Sequence, residues 1–581
     1  MGTSTGGDSS LTSGNGGDRR AFLRLAGGVM AVGVAGLLGA CSQAGPSAPA
    51  TGPVAGTTPA AAGGAKLANL LPTYIPAAGA PRADLPSTGP GIDDAWINFP
   101  KQAFKSVHDT PGRGGDVSVV SGSAWPPYTP ADQNPMLQEL NKRLNINMKL
   151  DITTISDYNT KFNTLVAGNS LPDVFWVGQT PNLVDFLKQQ VADLTPYLAG
   201  DAVKDYPNLA NLNSNTWKGT VFGGAIMGLP SPLGAMGNII QVNKTRWDAE
   251  IGADVKPKNA DELKKIMQQL TNPQTNKWAI ASGNTDPFGV INGWFAMMYG
   301  APNNWGMDNG RLVNFRETDA FKQSVGYLRD LVQLGVFHPK SATYDAVAAK
   351  GDHLTGQFAM IQGTFYGNHV DMWNRGVAAN PQVKFTLLEP VSYNGGKPLN
   401  WLSPYIWPRN YLSPGIWAFK KADPERIKEL LRIWNWICGP FGSEERLLWE
   451  YGVEGTDFTR DANGNIVPTQ RGPADSTFVP LRFGPHSPDM LYNPPTPDYG
   501  PAMQKLEQAM VPLGIMDPTL GLYSPTDGSK GAPLNATFGS AVVDVVASRR
   551  PVSDLDQIVK DWVSNGGDKI RAEYQQGLAA A

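Results

Sequence analysis

Apolar positions along the chain fall into two successive blocks with the same rhythm. In the first, Val117-Ser118-Val119-Val120 predicts a short strand, followed by a loop from Gly122 to Asp132. Asn134-Pro135 then supplies an N-cap and a first-turn proline ahead of Leu137, Leu140 and Leu144 at helical spacing. Ile146, Met148, Leu150 and Ile152 alternate with Asn147, Lys149 and Asp151, the period of a half-buried strand. Tyr158 to Val166 predicts a helix, and Asp173-Val174-Phe175-Trp176-Val177 a third strand. The second block opens on a strand within Gly237 to Lys244. Asn259, with Glu262 three residues on, makes a capping-box-like start for a helix carrying Leu263, Ile266, Met267 and Leu270 on one face. Phe321, Val325, Leu328 and Val332 form another helical stripe stopped by Gly335, and Phe358-Ala359-Met360-Ile361 is a strand. This alternation predicts an α/β protein of two lobes, each with helices covering a mostly parallel sheet.

Downstream the pattern changes. Asp423-Pro424 caps a helix whose stripe is Ile427, Leu430, Leu431, Trp434, Ile437 and Cys438, ending at Gly439-Pro440. Cys438 therefore reads as a small buried hydrophobe. Asp461-Ala462-Asn463-Gly464-Asn465 begins like a calcium loop, but Ile466 stands at its sixth position and Gly472 at its twelfth. Those positions need Gly and a bidentate Glu, so a hairpin turn is expected instead. From Gly472 to Pro551 the density of Pro and Gly gives no clear element. Leu555, Ile558, Val559 and Trp562 mark a last helix, before Gly566-Gly567 and a polar terminal segment.

The N-terminus follows other rules. Arg19-Arg20 and Arg24 precede a small, apolar run from Leu25 to Ala40 that ends in Leu38-Gly39-Ala40-Cys41. A basic cluster, a short apolar stretch and small residues at the cut describe an export signal. The run is too short and glycine-rich for a membrane span of about 20 apolar residues. It resembles two known signals superimposed. One is the twin-arginine motif, with Asp18 where Ser or Thr is usual. The other is the lipobox of bacterial lipoproteins, whose cysteine, here Cys41, is diacylated and becomes the mature N-terminus. From Ser42 the chain is Ala, Gly, Pro, Ser and Thr, the composition of a flexible tether. The folded part is expected to begin near Gly115.

Composition narrows the partners. A chain of 581 residues exceeds what one core supports. A net charge of −3 offers no field for a polyanion, which excludes nucleic acid. Two cysteines, one assigned to lipid, allow no disulfide within the mature chain, and the 5 histidines form no cluster with metal-ligand spacing. No metal and no cofactor are expected. The 16 tryptophans suit stacking on flat apolar faces such as sugar rings.

Four segments, in order, resemble the extracellular solute-binding proteins of ABC importers, specifically the sugar-binding class called family 1. Gly168-Asn169-Ser170-Leu171-Pro172-Asp173-Val174-Phe175 is similar to the family's Gly-x-x-Pro-Asp-Val element. Asn243-Lys244-Thr245-Arg246-Trp247 with Asn259-Ala260-Asp261-Glu262-Leu263 resembles its Tyr-Asn-Lys and Thr-Trp-Asp-Glu-Leu run, with Val242 for Tyr and Asn259-Ala260 for Thr-Trp. Gly356-Gln357-Phe358-Ala359-Met360-Ile361-Gln362-Gly363 is similar to the family's Gly-Lys-x-Ala-Met-x-x-Gly, with Phe365 where a Trp often follows. Tyr451-Gly452-Val453-Glu454-Gly455 resembles the Tyr-Gly-Ile-Glu-Gly element of a larger subclass, LipO-like and alginate-oligosaccharide-binding. The alginate-binding relatives carry a calcium loop where this chain has Leu270 to Lys277 without an acidic ligand, so calcium is not expected there.

The resemblance implies a two-lobed periplasmic-binding-protein-like fold of the class II type, with the ligand in a cleft between lobes that closes by hinge motion. The expected organisation is a signal over 1–41 and a tether over 42–114. The N-terminal lobe takes 115–230 and about 405–442, and the C-terminal lobe 231–404 and about 443–581, with the first crossing at Gly228-Leu229-Pro230. The expected activity is binding rather than catalysis. The protein would be a monomer held at the outer membrane face by lipid on Cys41, passing a carbohydrate to ABC permease transmembrane subunits. Ligand contacts are expected on loops after strand ends: Trp125, Tyr128, Trp176 and Gln179 in the first lobe, Trp294 and Phe365 in the second, and Trp401, Tyr405 and Trp407 at the crossing. The alternatives are a secreted carbohydrate-active enzyme and a peptide-binding receptor. For the enzyme, Asp286, Asp371, Glu389 and Asp457 are available, but no spacing marks the carboxylate pair that glycoside cleavage needs.

Overall fold

The computed structural model describes residues 67–580 except 124–128, 179, 181, 233, 284–285, 291–292, 365–372, 374–375, 377–379, 404–414, 477–483, 485–490 and 494–495. Two sheets and a hairpin are built from β1 (Asp116–Ser123), β2 (Asn147–Thr154), β3 (Val174–Trp176), β4 (Leu229–Pro230), β5 (Asn238–Asn243), β6 (Trp278–Ala281), β7 (Phe358–Thr364), β8 (Phe385–Leu387), β9 (Ile416–Phe419), β10 (Phe458–Arg460) and β11 (Ile466–Pro468).

The first sheet has the order β2-β1-β3-β9-β4. β1 runs parallel to β2 from Asp116↔Asn147 to Ser123↔Thr154, and parallel to β3 at Val120↔Phe175. β9 lies antiparallel between β3 and β4, at Ala418↔Phe175 and Ile416↔Pro230. Local signals account for the covering helices. The Asn134 side chain accepts from the Leu137 N–H at the head of Pro135–Leu144, and Asp423 accepts from Arg426 at the head of Pro424–Ile437. Their apolar stripes, Leu137, Leu140 and Leu144 with Leu430, Leu431 and Trp434, are buried in one core with Tyr158, Phe162 and Phe175. Cys438 is buried there too, its thiol facing the Asn208 carbonyl.

The second sheet has the order β8-β5-β7-β6. Only β7 and β6 run parallel; β5 is antiparallel to both β7 and β8. The expectation of mostly parallel sheets is therefore corrected in both lobes: the first sheet has two parallel and two antiparallel pairings, and the second has one parallel and two antiparallel. β5 starts from the hinge and runs back between two strands delivered much later in the chain. The helices Ala260–Gln269 and Asp319–Gln333 cover this sheet, and Gly335 ends the second of them at φ +70°. Phe538, Val542, Val546, Leu555, Ile558 and Trp562, from the helices Ala532–Val546 and Leu555–Trp562, complete its core.

Three further expectations change. Within the Pro- and Gly-rich stretch after Gly472, Tyr499–Met510 and Ala532–Val546 are helices whose prolines, Pro501 and Pro533, fall in the first turn. There proline costs no hydrogen bond. Past Gly566-Gly567 the chain resumes as a helix, Asp568–Ala580, that buries Ile570 and Tyr574. Leu448 and Trp449, in the helix Glu444–Tyr451, join the first core, so this lobe extends past residue 442. β10 and β11 form the expected hairpin around Asp461–Asn465.

The largest correction concerns residues 67–114, which were assigned to the tether. Leu67–Leu70 is a helix, Leu70 belongs to the first core, and the Ile75 N–H donates to Ala210 O at 2.9 Å. Farther on, the Gln504 side chain donates to the carbonyls of Leu85 and Asp93 at 2.8 and 2.9 Å. The Glu507 carboxylate takes the Asp93 N–H at 2.8 Å. Ala95 is buried with Ile239 of β5 and with Phe385 and Leu387 of β8, on the second-lobe side. Trp96 and Phe99 pack with Phe441, Phe458 and Tyr492. The chain then returns to the first lobe, where Arg113 N–H donates to Glu429 at 2.8 Å. This segment is a strap held by both lobes. Its composition misled because most of its hold is backbone hydrogen bonding, which leaves no apolar periodicity.

Candidate functional site

Between the sheets the chain leaves β4 at Ser231 and enters β5 after Met236, and it comes back into β9 at Gly415, with Leu402 and Ser403 the described residues ahead of that return. The described ends of the two crossings lie side by side. Ser231 N–H donates to Gly415 O at 2.8 Å, Ser403 N–H donates to Ala235 O at 2.9 Å, and Met236 and Leu402 form an antiparallel bridge. Proline explains the extended backbone. Leu229, Ser231 and Ser403 each precede one, which disfavours the helical region for them.

The side chains of Ser231 and Ser403 are buried, and their hydroxyls have no hydrogen-bond partner. Ser121, near the end of β1, is buried in the same condition. An unmade buried hydrogen bond costs about 1–3 kcal/mol, so such groups call for an account. Each hydroxyl can both donate and accept. Among the described residues no base contacts them, so they can hold a polar ligand and are not set up as activated nucleophiles. Sequence reasoning missed all three, because serine carries no periodic signal. The Ser-Pro pairs at 231 and 403 are the one trace they leave.

The second lobe presents a loop after β6 that is shaped by backbone conformation. Ser282 Oγ accepts the Phe288 N–H at 2.8 Å and donates to Ser341 O at 3.0 Å. Phe288, Gly289 and Gly293 have φ of 59°, 71° and 71°. A Cβ on Gly293 would overlap the Trp401 ring, and one on Gly289 the Gln362 side chain. Glycine is therefore required twice within five residues, once for each side chain laid against the loop.

Of the expected contact residues, Trp125, Tyr128, Gln179, Phe365, Tyr405 and Trp407 lie outside the described residues, as does Cys41. The other three are in protein interior. Trp176 is 3% exposed on β3; its carbonyl accepts the Tyr158 hydroxyl, and its ring lies 5.9 Å from that of Tyr158. Trp294 is 1% exposed in the helix Trp294–Met298, edge-on to Phe295. Trp401 is 7% exposed; its indole N–H donates to Ala301 O at 2.9 Å and its ring meets Phe315. Trp294 and Trp401 come together in the second core, around Gly293. Helical and strand positions, rather than the loops expected, account for this burial.

The carboxylates considered for catalysis have separate surroundings. Glu389 pairs with exposed Lys256 at 2.5 Å, Asp457 faces Asp475 and Arg471, and the Asp286 N–H closes a turn on Gly283 O. Asp371 lies outside the described residues.

Comparison with known proteins agrees with this architecture. A family profile described as bacterial extracellular solute-binding protein matches residues 121–414. The polygalacturonan/rhamnogalacturonan-binding protein YtcQ of Bacillus subtilis (strain 168) is 23% identical over 451 residues, covering 75% of this chain and 86% of that protein. Lipoprotein LipO of the same organism is 24% identical over 266 residues, 43% of this chain and 50% of its own length. Among solved structures, the alginate-binding protein AlgQ2 without calcium ion superposes with a TM-score of 0.58 at 16% identity. The match covers 82% of this chain and all of that one, a likeness of two-lobed fold.

Proposed function

Since the chain belongs to the bacterial extracellular solute-binding proteins, which are receptors and not enzymes, we propose that it captures an oligosaccharide in a cleft at the crossings, beside Ser231 and Ser403, and delivers it to an ABC permease. The observation that carries this reading is the pair of crossing segments with partnerless buried hydroxyls on Ser231 and Ser403. A hinge between two α/β lobes permits closure, and ligand drives it by binding the closed state more tightly. Sugar hydroxyls are suited to the crossing serines. Trp125, Tyr128, Gln179, Phe365, Tyr405 and Trp407 supply the aromatic and amide surface that sugar faces and hydroxyls require. Carbohydrate is favoured over peptide because YtcQ and AlgQ2 are named for polysaccharide ligands.

Lipid on Cys41 would hold the receptor at the outer face of the membrane and raise its effective concentration near the permease. Exchange of Cys41 for Ala should then release the protein into the medium. Export by the twin-arginine route should fail when Arg19 and Arg20 are changed to Lys; unchanged export would exclude that route and leave the lipid anchor standing.

The ligand reading is tested by a thermal-shift screen of mono- and oligosaccharides, neutral and uronic. A ligand at 100 times its dissociation constant stabilises by about 2.7 kcal/mol. A shift with peptides and none with any carbohydrate overturns the assignment, and sustained hydrolysis of an oligosaccharide overturns the receptor reading.

A further inference from the structure

The helix Pro424–Ile437 turns its apolar stripe into the first core and leaves Lys428 and Arg432, one turn apart, on another face. Opposite them stand the turns Thr195–Leu198 and Asp201–Asp205. Between lies a cavity of about 440 Å³, lined by Tyr197, Asp205, Tyr206, Lys428 and Arg432 among others. Sites for small molecules run from about 300 to 1,000 Å³. No described residue of either crossing lines this one.

Its walls are braced. Asn435 Oδ1 accepts the Asn208 N–H at 2.9 Å, which joins the turn after Tyr206 to the helix. The strap holds both sides: the Thr73 hydroxyl donates to Asp201 at 2.9 Å, and Pro111 O accepts from Arg432 Nε at 3.0 Å. Arg432 is thereby fixed at one nitrogen, and its two terminal nitrogens have no hydrogen-bond partner among the described residues.

Which groups are already satisfied decides what the cavity can take. Lys428 is occupied, its ammonium 3.0 Å from Glu425. The Arg432 fork and the Asp205 carboxylate have no ion partner among the described residues and do not pair with each other. Tyr206 is 5% exposed, and its hydroxyl makes no hydrogen bond among the described residues. Burial, and then Asp205 beside it, push that phenol up to about 12 against the pull of Arg432. It therefore keeps its proton and can both donate and accept. A ligand of single charge would be repelled by one of the two open ions. A hydroxyl, by contrast, donates to a carboxylate and accepts from a guanidinium, so two neighbouring hydroxyls meet both. The half-buried Tyr197 ring and Pro196 add an apolar surface for the C–H face of a sugar. A zwitterion would meet the two ions, but neither of its charged ends covers that ring.

We propose that this cavity is a second saccharide site, on a helical face of the first lobe, in which Arg432, Asp205 and Tyr206 bind the hydroxyls of a pyranose and Tyr197 takes its ring face. A polysaccharide held here keeps its ends at high effective concentration near the cleft. That use rests on the cleft reading; the binding itself does not.

Hydrogen exchange of the full protein tests this, with and without the methyl pyranosides of glucose, galactose, mannose and rhamnose in excess. At least one of them should slow exchange in residues 195–206 and 428–435. Protection of that pair by none of them overturns the proposal, as does protection confined to the crossings, or protection of the pair by alanine or inorganic phosphate alone. Asp205 is exposed and bonded to none of the described side chains, so Asp205→Ala should fold as wild type. It should bind the protecting glycoside at least about tenfold more weakly, the loss of a charge-assisted hydrogen bond. Arg432→Lys keeps the charge but loses the fork, and should weaken binding likewise. Wild-type affinity in both variants overturns the proposal. Changing Ser231 and Ser403 together to Ala separates the two sites. Protection at 195–206 should survive that change; protection that vanishes with it is relayed from the cleft and overturns the proposal.

Discussion

The two sheets receive the returning chain differently. In the first, β4 and β9 are hydrogen-bonded neighbours, so both crossings spring from one ladder. In the second, the outgoing crossing enters the sheet as β5, but the return leaves from Asn400-Trp401, which pairs with Gly514-Ile515 outside that sheet. Ladder hydrogen bonds thus root the hinge on one side. On the other it depends on Trp401 being seated against Gly293, Ala301 and Phe315. A hinge rooted in a ladder on one side and in side-chain packing on the other should yield first on the packed side.

The largest effect that could break this contrast comes from the cores themselves. Trp434→Ala in the first lobe and Trp294→Ala in the second each remove a fully buried indole and should cost about 3–5 kcal/mol. Calorimetry should show one transition moving in both variants, because two crossings and the strap join the lobes. A split transition confined to the mutated lobe would show that each lobe melts alone. Smaller, but specific to the packed root, Gly293→Ala should cost about 1–3 kcal/mol from overpacking and the left-handed backbone. Trp401→Leu in the same chain should recover part of that loss, measured by denaturant midpoint; no recovery would place the strain elsewhere. The smallest effect distinguishes the first lobe by pH. Burial would raise the Asp173 carboxyl, but the N–H and hydroxyl of Ser118 and the Arg426 guanidinium hold it below its ordinary value. Its contribution is therefore present above about pH 3.9, the unfolded carboxylate value, and is lost as pH falls through the lower folded value. Asp173→Asn should flatten the acid limb of stability against pH, and an unchanged limb would mean the pair adds nothing.

What could be read from the sequence was local. Asn134, Asn259 and Asp423 announce helices because a cap acts on N–H groups two or three residues away. The placement of β9 between β3 and β4 depends on contacts such as Trp417 with Trp176, which no window along the chain contains. Tryptophans were the visible candidates for the site, yet the three that are described serve the interior. The partnerless hydroxyls of Ser231 and Ser403 were not visible at all, since a serine is polar whether or not it has a partner. Composition also could not separate the strap from a tether. A few side chains, Ala95, Trp96 and Phe99, and the carbonyls given to Gln504, make that difference.

The strap also sets an order of events in folding. Asp93 finds its acceptor on Glu507, 414 residues later. At about 5–20 residues per second, synthesis alone separates the two by tens of seconds. Contacts so distant in sequence are slow to form, because the loop must close before it is stabilised. The stretch made among the first is therefore among the last to settle. Until Phe441, Phe458 and Tyr492 have been made, Trp96 and Phe99 have no core to enter and remain exposed.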